Sequence, residues 1–258
     1  MLRRLAAKRL GHGEAAPLVD HLGELRHRVF IALGALVPAF AVAFAFHSTL
    51  IEWLIAPLPD EVELVTLGVT EPFTTAVKIS LLAALAIALP VVLYQLWAFL
   101  APAVEQHLQR MLSGFVAVAT GLFLGGVAFG YFVVLPRAIT FLVTFDESLY
   151  DIQVRAGYYL SFAAMLLLAM GVVFELPVFI LALVRLGVLS SDKLRRNRRI
   201  GYVAMIVLAV ALPSVDPVSL LFEALPLIGL FEGSIWLAVA FERRWARAAH
   251  TLAAEAGA

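Results

Sequence analysis

The sequence predicts an all-α integral membrane protein with six transmembrane helices in a single domain. Three observations predict it. Hydrophobic residues fill 62% of the 258 positions and mean hydropathy is +0.95, against roughly half apolar in soluble domains. The apolar residues gather into stretches at about 29–46, 74–100, 113–136, 157–185, 200–212 and 218–241. Finally, 16 of the 19 lysines and arginines lie in residues 1–28, at Arg110 and Arg185, in 193–199 and in 243–247. The other three are Lys78, Arg137 and Arg155. This bias puts both termini in the cytoplasm and the two long acidic loops outside.

Residues 1–10, MLRRLAAKRL, place Leu2, Leu5, Ala6 and Leu10 on one helical face opposite Arg3, Arg4, Lys8 and Arg9. That pattern suits a short helix lying on an anionic membrane surface. The polar stretch 17–28 and the span-length apolar run after it argue against a cleaved signal peptide. Asp20 is a candidate N-cap for HLGELRHR. After the first span, residues 47–73 hold Pro57, Pro59, Pro72 and the acids Glu52, Asp60, Glu61, Glu63 and Glu71. This segment is too polar for lipid, and Leu50–Leu58 is too apolar for disorder. A folded cap is expected, with Trp53 near the interface.

The second span contains Pro90, and 101–112 is a tight polar turn. The third carries Gly121-x-x-x-Gly125 and Gly126-x-x-x-Gly130, a spacing that lets helices approach closely. A second polar loop is expected over 137–156. The fourth span, 157–185, is apolar from Tyr158 to Val184 except for Glu175. As a helix it would reach roughly 43 Å, beyond the roughly 30 Å bilayer core, and Pro177 offers a bend. Glu175, about 15 Å from Arg185 along the helix, is costly facing lipid. It is expected to face a concave, water-accessible pocket or to bond a neighbouring helix. Ser191 or Asp192 can cap a short helix in the basic turn. The fifth stretch is only about 20 Å long as a helix, so the last two helices are expected to be short and tilted, or the membrane thin around them. Pro213–Pro217 turns the chain between them, and Glu223 and Glu232 lie on opposite sides of the sixth.

Several chemistries are excluded. There are no cysteines, hence no disulfide or thiolate site. No Walker-type phosphate loop and no H-E-x-x-H occur. The histidines, His12, His21, His27, His47, His107 and His250, sit at span ends or in loops, with no metal-ligand spacing. Neither a catalytic residue nor a metal or cofactor is expected. The basic run 193–199 is read as a topology signal rather than a nucleic-acid site.

Five stretches carry a family resemblance: HLGELRHR at 21–28, TEPFTTAVKIS at 70–80, LYQLWAFLAPAV at 93–104, FGYFVVLPRAITFL at 129–142 and SFAAMLLLAMGVVFELPVF at 161–179. Together they resemble the TatC family, the polytopic core of the twin-arginine protein translocase, over about residues 18–242. The resemblance implies a concave, glove-like bundle in the cytoplasmic membrane, recognition of twin-arginine signal peptides on folded cargo, and use of the proton-motive force. It implies single-span partners of the TatA and TatB type, and self-association in a larger complex. Glu24, Leu25 and Arg26 fall on the amino-terminal signal-peptide motif, and Phe99, Pro102 and Ala103 on the first cytoplasmic loop motif. Many relatives carry an acid just after the histidine of that loop. Leu108 stands there in this chain, and Glu105 is the candidate replacement. Glu175 matches the membrane-embedded acid of the fourth span. Pro57, Gln95 and Asp216 match recurrent positions with structural or partner roles. Physically, a guanidinium pair calls for carboxylates, and Glu24 lies at the edge of the first span. Arg28, four residues on, offers Glu24 a surface pair worth a few tenths of a kcal/mol. The alternative from another class is a proton- or ion-coupled secondary transporter using Glu175, although no clear internal repeat supports it.

Overall fold

The computed structural model describes residues 18–59, 62–100, 112–146, 148–149, 152–213 and 216–256. The apolar stretches are helices, the form that satisfies every backbone polar group within one segment in lipid. Among the described residues, five helical stretches are long and apolar enough to cross a bilayer: Leu22–Ala45, Glu71–Phe99, Gly114–Thr144, Ala156–Arg185 and Pro217–Arg244. The expected span at 200–212 is a 13-residue helix, Arg198–Val210, and falls short of that length.

Helix α1 (Leu18–Ala45) begins before Asp20, so Asp20 lies inside the helix rather than at its cap. It runs antiparallel to α3 (Glu71–Leu100). Ala39 of α1 packs on Ala84 and Ala88 of α3, small residues that bring the two backbones together.

Between them, α2 (His47–Ile55) and strand β1 (Leu64–Val65) form the cap. β1 pairs in parallel with β2 (Val154–Arg155), Leu64 opposite Val154. The Trp53 ring stacks on Tyr131, centroids 4.0 Å apart. Tyr131 Oη donates to the Trp53 carbonyl at 3.0 Å and Tyr159 Oη to the Leu54 carbonyl at 2.7 Å. Glu71 closes the cap. Its Oε1 accepts from Arg155 Nε at 2.8 Å and from the Gly157 N–H at 3.1 Å, and its Oε2 from the Leu67 N–H at 3.0 Å. The bond to Glu71 holds the Arg155 guanidinium protonated above its ordinary range. One carboxylate thus joins the two loops that the sequence leaves 84 residues apart.

The third span is longer than the sequence suggests. Helix α4 (Leu112–Phe129) passes through a π-helical turn (Gly130–Val134) into α5 (Leu135–Thr144), so residues 137–144 are helical rather than loop. The Leu135 N–H bonds the Gly130 carbonyl five residues back. Pro136 then sits in the first turn of α5, where its missing N–H costs nothing. Leu135, Ala138 and Ile139 turn into the core. Of the two glycine pairs, the second is the packing pair. A Cβ on Gly126 would lie 2.5 Å from the Met170 carbonyl, and one on Gly130 3.1 Å from Leu167. Gly121 and Gly125 have open space.

Those contacts are with the fourth span, the most enclosed of the five. It breaks as its proline requires: α6 (Ala156–Val173) ends, Phe174 and Glu175 turn, and α7 (Leu176–Arg185) resumes with Pro177 in its first turn. The basic turn forms α8 (Ser191–Arg196). Its cap is Ser190, whose Oγ accepts from the Lys193 N–H at 3.3 Å, rather than Ser191 or Asp192. Ser191 instead donates its N–H (3.1 Å) and its hydroxyl to Glu242. Helix α9 (Arg198–Val210) lies on α10 (Pro217–Ala256), where Gly201 leaves room for the Phe231 ring. Tyr202 Oη donates to Glu232 at 2.5 Å and Arg198 pairs with it at 3.2 Å. Glu223 is fully buried.

Candidate functional site

The basic end of the α1–α3 pair gathers the first group of sequence-predicted residues. Arg28 donates from Nε (3.0 Å) and Nη2 (2.6 Å) to Oε1 of Glu24, one turn earlier on α1. Its Nη1 donates across to Gln95 Oε1 on α3 at 3.3 Å. Because the helices are antiparallel, Glu24 and Phe99 each lie one turn beyond this bridge at the same end. Four helical residues rise about 6 Å, so the carboxylate and the ring stand at one level. Leu25 and Arg26 are exposed, and the Arg26 guanidinium sits 5.6 Å from the exposed Phe30 ring. Phe99 is half-buried. Two residues earlier, Trp97 packs edge-on against Phe115 of α4 at 4.6 Å and lies tilted to Phe179 of α7 at 6.4 Å. Pro102, Ala103, Glu105 and Leu108 lie outside the described residues.

The pairing of Glu24 with Arg28 was legible from the i, i+4 spacing. The third member, Gln95, was not, because it is 67 residues from Arg28.

Glu175 sits at the helix break, where its carbonyl accepts the N–H groups of Val178 (3.0 Å) and Phe179 (3.1 Å). Its side chain is 2% exposed and, among the described residues, neither carboxyl oxygen has a hydrogen-bond partner. Among the described residues the expected water-accessible pocket is therefore not found around this group, whose side chain is enclosed. Phe174 beside it meets Phe129 at 5.7 Å, so the break is wedged against the third span by aromatic contact. A buried carboxyl without a partner costs several kcal/mol if ionised.

The remaining two positions have structural settings. Asp216, 5% exposed, caps α10: its Oδ1 accepts the Ser219 N–H at 2.7 Å, just ahead of Pro217. Pro57 lies in the turn after α2. Among the described residues no group of three or more His, Asp or Glu side chains could hold a metal ion.

The family model described as TatC, Sec-independent protein translocase protein, matches residues 20–226. The Sec-independent protein translocase protein TatC of Halothiobacillus neapolitanus is 38% identical over 248 residues, covering 94% of this chain and 68% of the relative. That of Helicobacter pylori is 35% identical over 221 residues, covering 86% and 88%. A crystal structure of the twin arginine translocase receptor TatC in DDM superposes with a TM-score of 0.76 at 35% identity, over 84% of this chain and 99% of that one.

Proposed function

The chain belongs to the TatC family of Sec-independent protein translocase proteins, a multi-pass membrane component of a protein translocase, and on that premise we propose that it recognises twin-arginine signal peptides and exports folded cargo. The observation that carries the proposal is the placement of the Glu24 carboxylate and the Phe99 ring at one level of the basic end of the α1–α3 pair. A carboxylate that already accepts two guanidinium N–H groups of Arg28 at one oxygen can exchange that partner for an incoming guanidinium. Exposed Leu22, Leu25 and Phe30 offer apolar surface to the residues around the arginine pair. In this reading Glu105, six residues after Phe99 in the sequence, supplies the second carboxylate.

The lysine and arginine distribution supports a cytoplasmic membrane location with both termini in the cytoplasm. The whole chain then acts as one polytopic domain, alongside single-span partners of the TatA and TatB type and further copies of itself. In this reading the proton-motive force drives transport, and Glu175, enclosed at the break of the fourth span, meets a partner or signal-peptide helix only when the chain opens around that break. The transporter alternative is not favoured, since the relatives are protein translocase components.

The test is site-specific crosslinking. A photo-reactive residue at Leu25 or Phe99 should capture a twin-arginine signal peptide and lose it when both arginines become lysine. Equal capture of the lysine pair would reject the reading.

A further inference from the structure

We propose that the cleft between α8, α9 and the polar end of α10 binds the phosphate headgroup of an anionic phospholipid. The cleft has a volume of about 220 Å³ and is lined by Arg195, Arg198, Ile235, Trp236, Val239, Ala240 and Arg243. The α10 members recur at i, i+1, i+4, i+5 and i+8, which is one face of a helix. That face runs from apolar at Ile235 to cationic at Arg243 over about 12 Å. A lipid laid along it sets its acyl chains against the exposed Trp236 and the half-buried Val239, with Ile235 buried beneath, and its phosphate among three guanidinium groups.

The charges fit that occupant. Glu232 pairs with Arg198 at 3.2 Å, while Arg195 and Arg243 are exposed and form no ion pair among the described residues. Arg198 Nε is buried without a hydrogen-bond partner, a donor that a phosphate oxygen would satisfy. Guanidinium forks match phosphate oxygens two at a time, and basic pockets at a membrane surface select anionic headgroups. Trp236 is 69% exposed on a helix that spans the membrane, where an indole faces the lipid interface. A soluble phosphate would use the arginines and leave this apolar stripe unused. The inference rests on membrane placement and is independent of the peptide-binding reading.

The test is native mass spectrometry of the purified protein in mild detergent, titrated with phosphatidylglycerol, phosphatidylcholine or glycerol 3-phosphate. The parent should retain phosphatidylglycerol at no less than about fivefold the occupancy of phosphatidylcholine, a preference of about 1 kcal/mol, and should hold little glycerol 3-phosphate. Arg195→Gln with Arg243→Gln should abolish the preference. Lys193→Gln with Arg196→Gln, which changes exposed residues of the same helix outside the cleft, should keep it. If the first double variant does not fold, its single variants carry the same test, each reducing the preference. Equal retention of phosphatidylcholine, or an unchanged preference in the cleft variants, overturns the proposal. Glycerol 3-phosphate bound as tightly as the lipid would make this a soluble-phosphate site and also overturn it.

Discussion

Nη1 of Arg28 lies 3.3 Å from Oε1 of Gln95, and this bond ties the first helix to the third beside Glu24. It sets how strongly Arg28 competes with a peptide guanidinium for the Glu24 carboxylate. Gln95→Ala releases Arg28 wholly to Glu24 and should weaken a twin-arginine peptide about two- to fivefold, as suits loss of one long hydrogen bond. Arg28→Gln removes the competitor and should leave affinity equal or higher. Fluorescence titration of a labelled signal peptide reads both. Weakening by both variants alike would mean that Arg28 itself contacts the peptide.

The two glycine pairs of the third span should respond oppositely to alanine. Gly126→Ala puts a methyl 2.5 Å from the Met170 carbonyl and should destabilise by about 1–3 kcal/mol. Gly121→Ala meets nothing within 4 Å and should be neutral or stabilising, because alanine favours helix over glycine by up to about 1 kcal/mol. Melting temperatures in detergent decide it, and equal losses would refute the packing assignment.

Orientation is testable with single cysteines on a chain that has none. Ser148 and Asn197 are both exposed, whereas Ser191 is buried against Glu242. In intact cells a membrane-impermeant maleimide should label Ser148→Cys and spare Asn197→Cys until the membrane is opened. Labelling of both from outside would reject cytoplasmic termini.

Glu175 separates stability from transport. Its carboxyl has no partner to lose among the described residues. Glu175→Leu should therefore hold or raise the melting temperature, as apolar replacement of buried polar groups often does, while export of a folded reporter falls. Glu175→Gln keeps the shape and a polar group at this point and should export better than the leucine variant. A stable Glu175→Leu with normal export would reject a functional role. Loss of folding would show that the carboxyl satisfies a neighbouring helix.

Local signals in the sequence carried most of the fold. The apolar stretches became helices, Pro177 broke the fourth span where its ring demands, and the short stretch at 200–212 became a short helix. Pro136 misled, because proline suggests a helix end and a π turn absorbed it instead. Spacing alone also could not say which glycine pair packs: that depends on which face meets Met170. The site was legible only in part. Glu24 and Arg28 are neighbours on one helix and announce their pairing. Gln95 and the bond of Glu71 to Arg155 join distant segments, and no periodicity encodes such partners. Glu175 was visible as a lone acid in an apolar run, but its enclosure is set by helices that the sequence does not orient.

The central claim is that Glu24 receives a guanidinium of the signal peptide, and Glu24→Gln tests it most directly. The substitution keeps the side-chain shape and removes the charge. Affinity for a twin-arginine peptide, measured by titration with the parent and variant in the same detergent, should fall by about 1.5–3 kcal/mol, roughly ten- to a hundredfold. The advantage of the arginine pair over a lysine pair should shrink with it. Unchanged affinity and unchanged arginine preference in a folded Glu24→Gln protein would contradict the account.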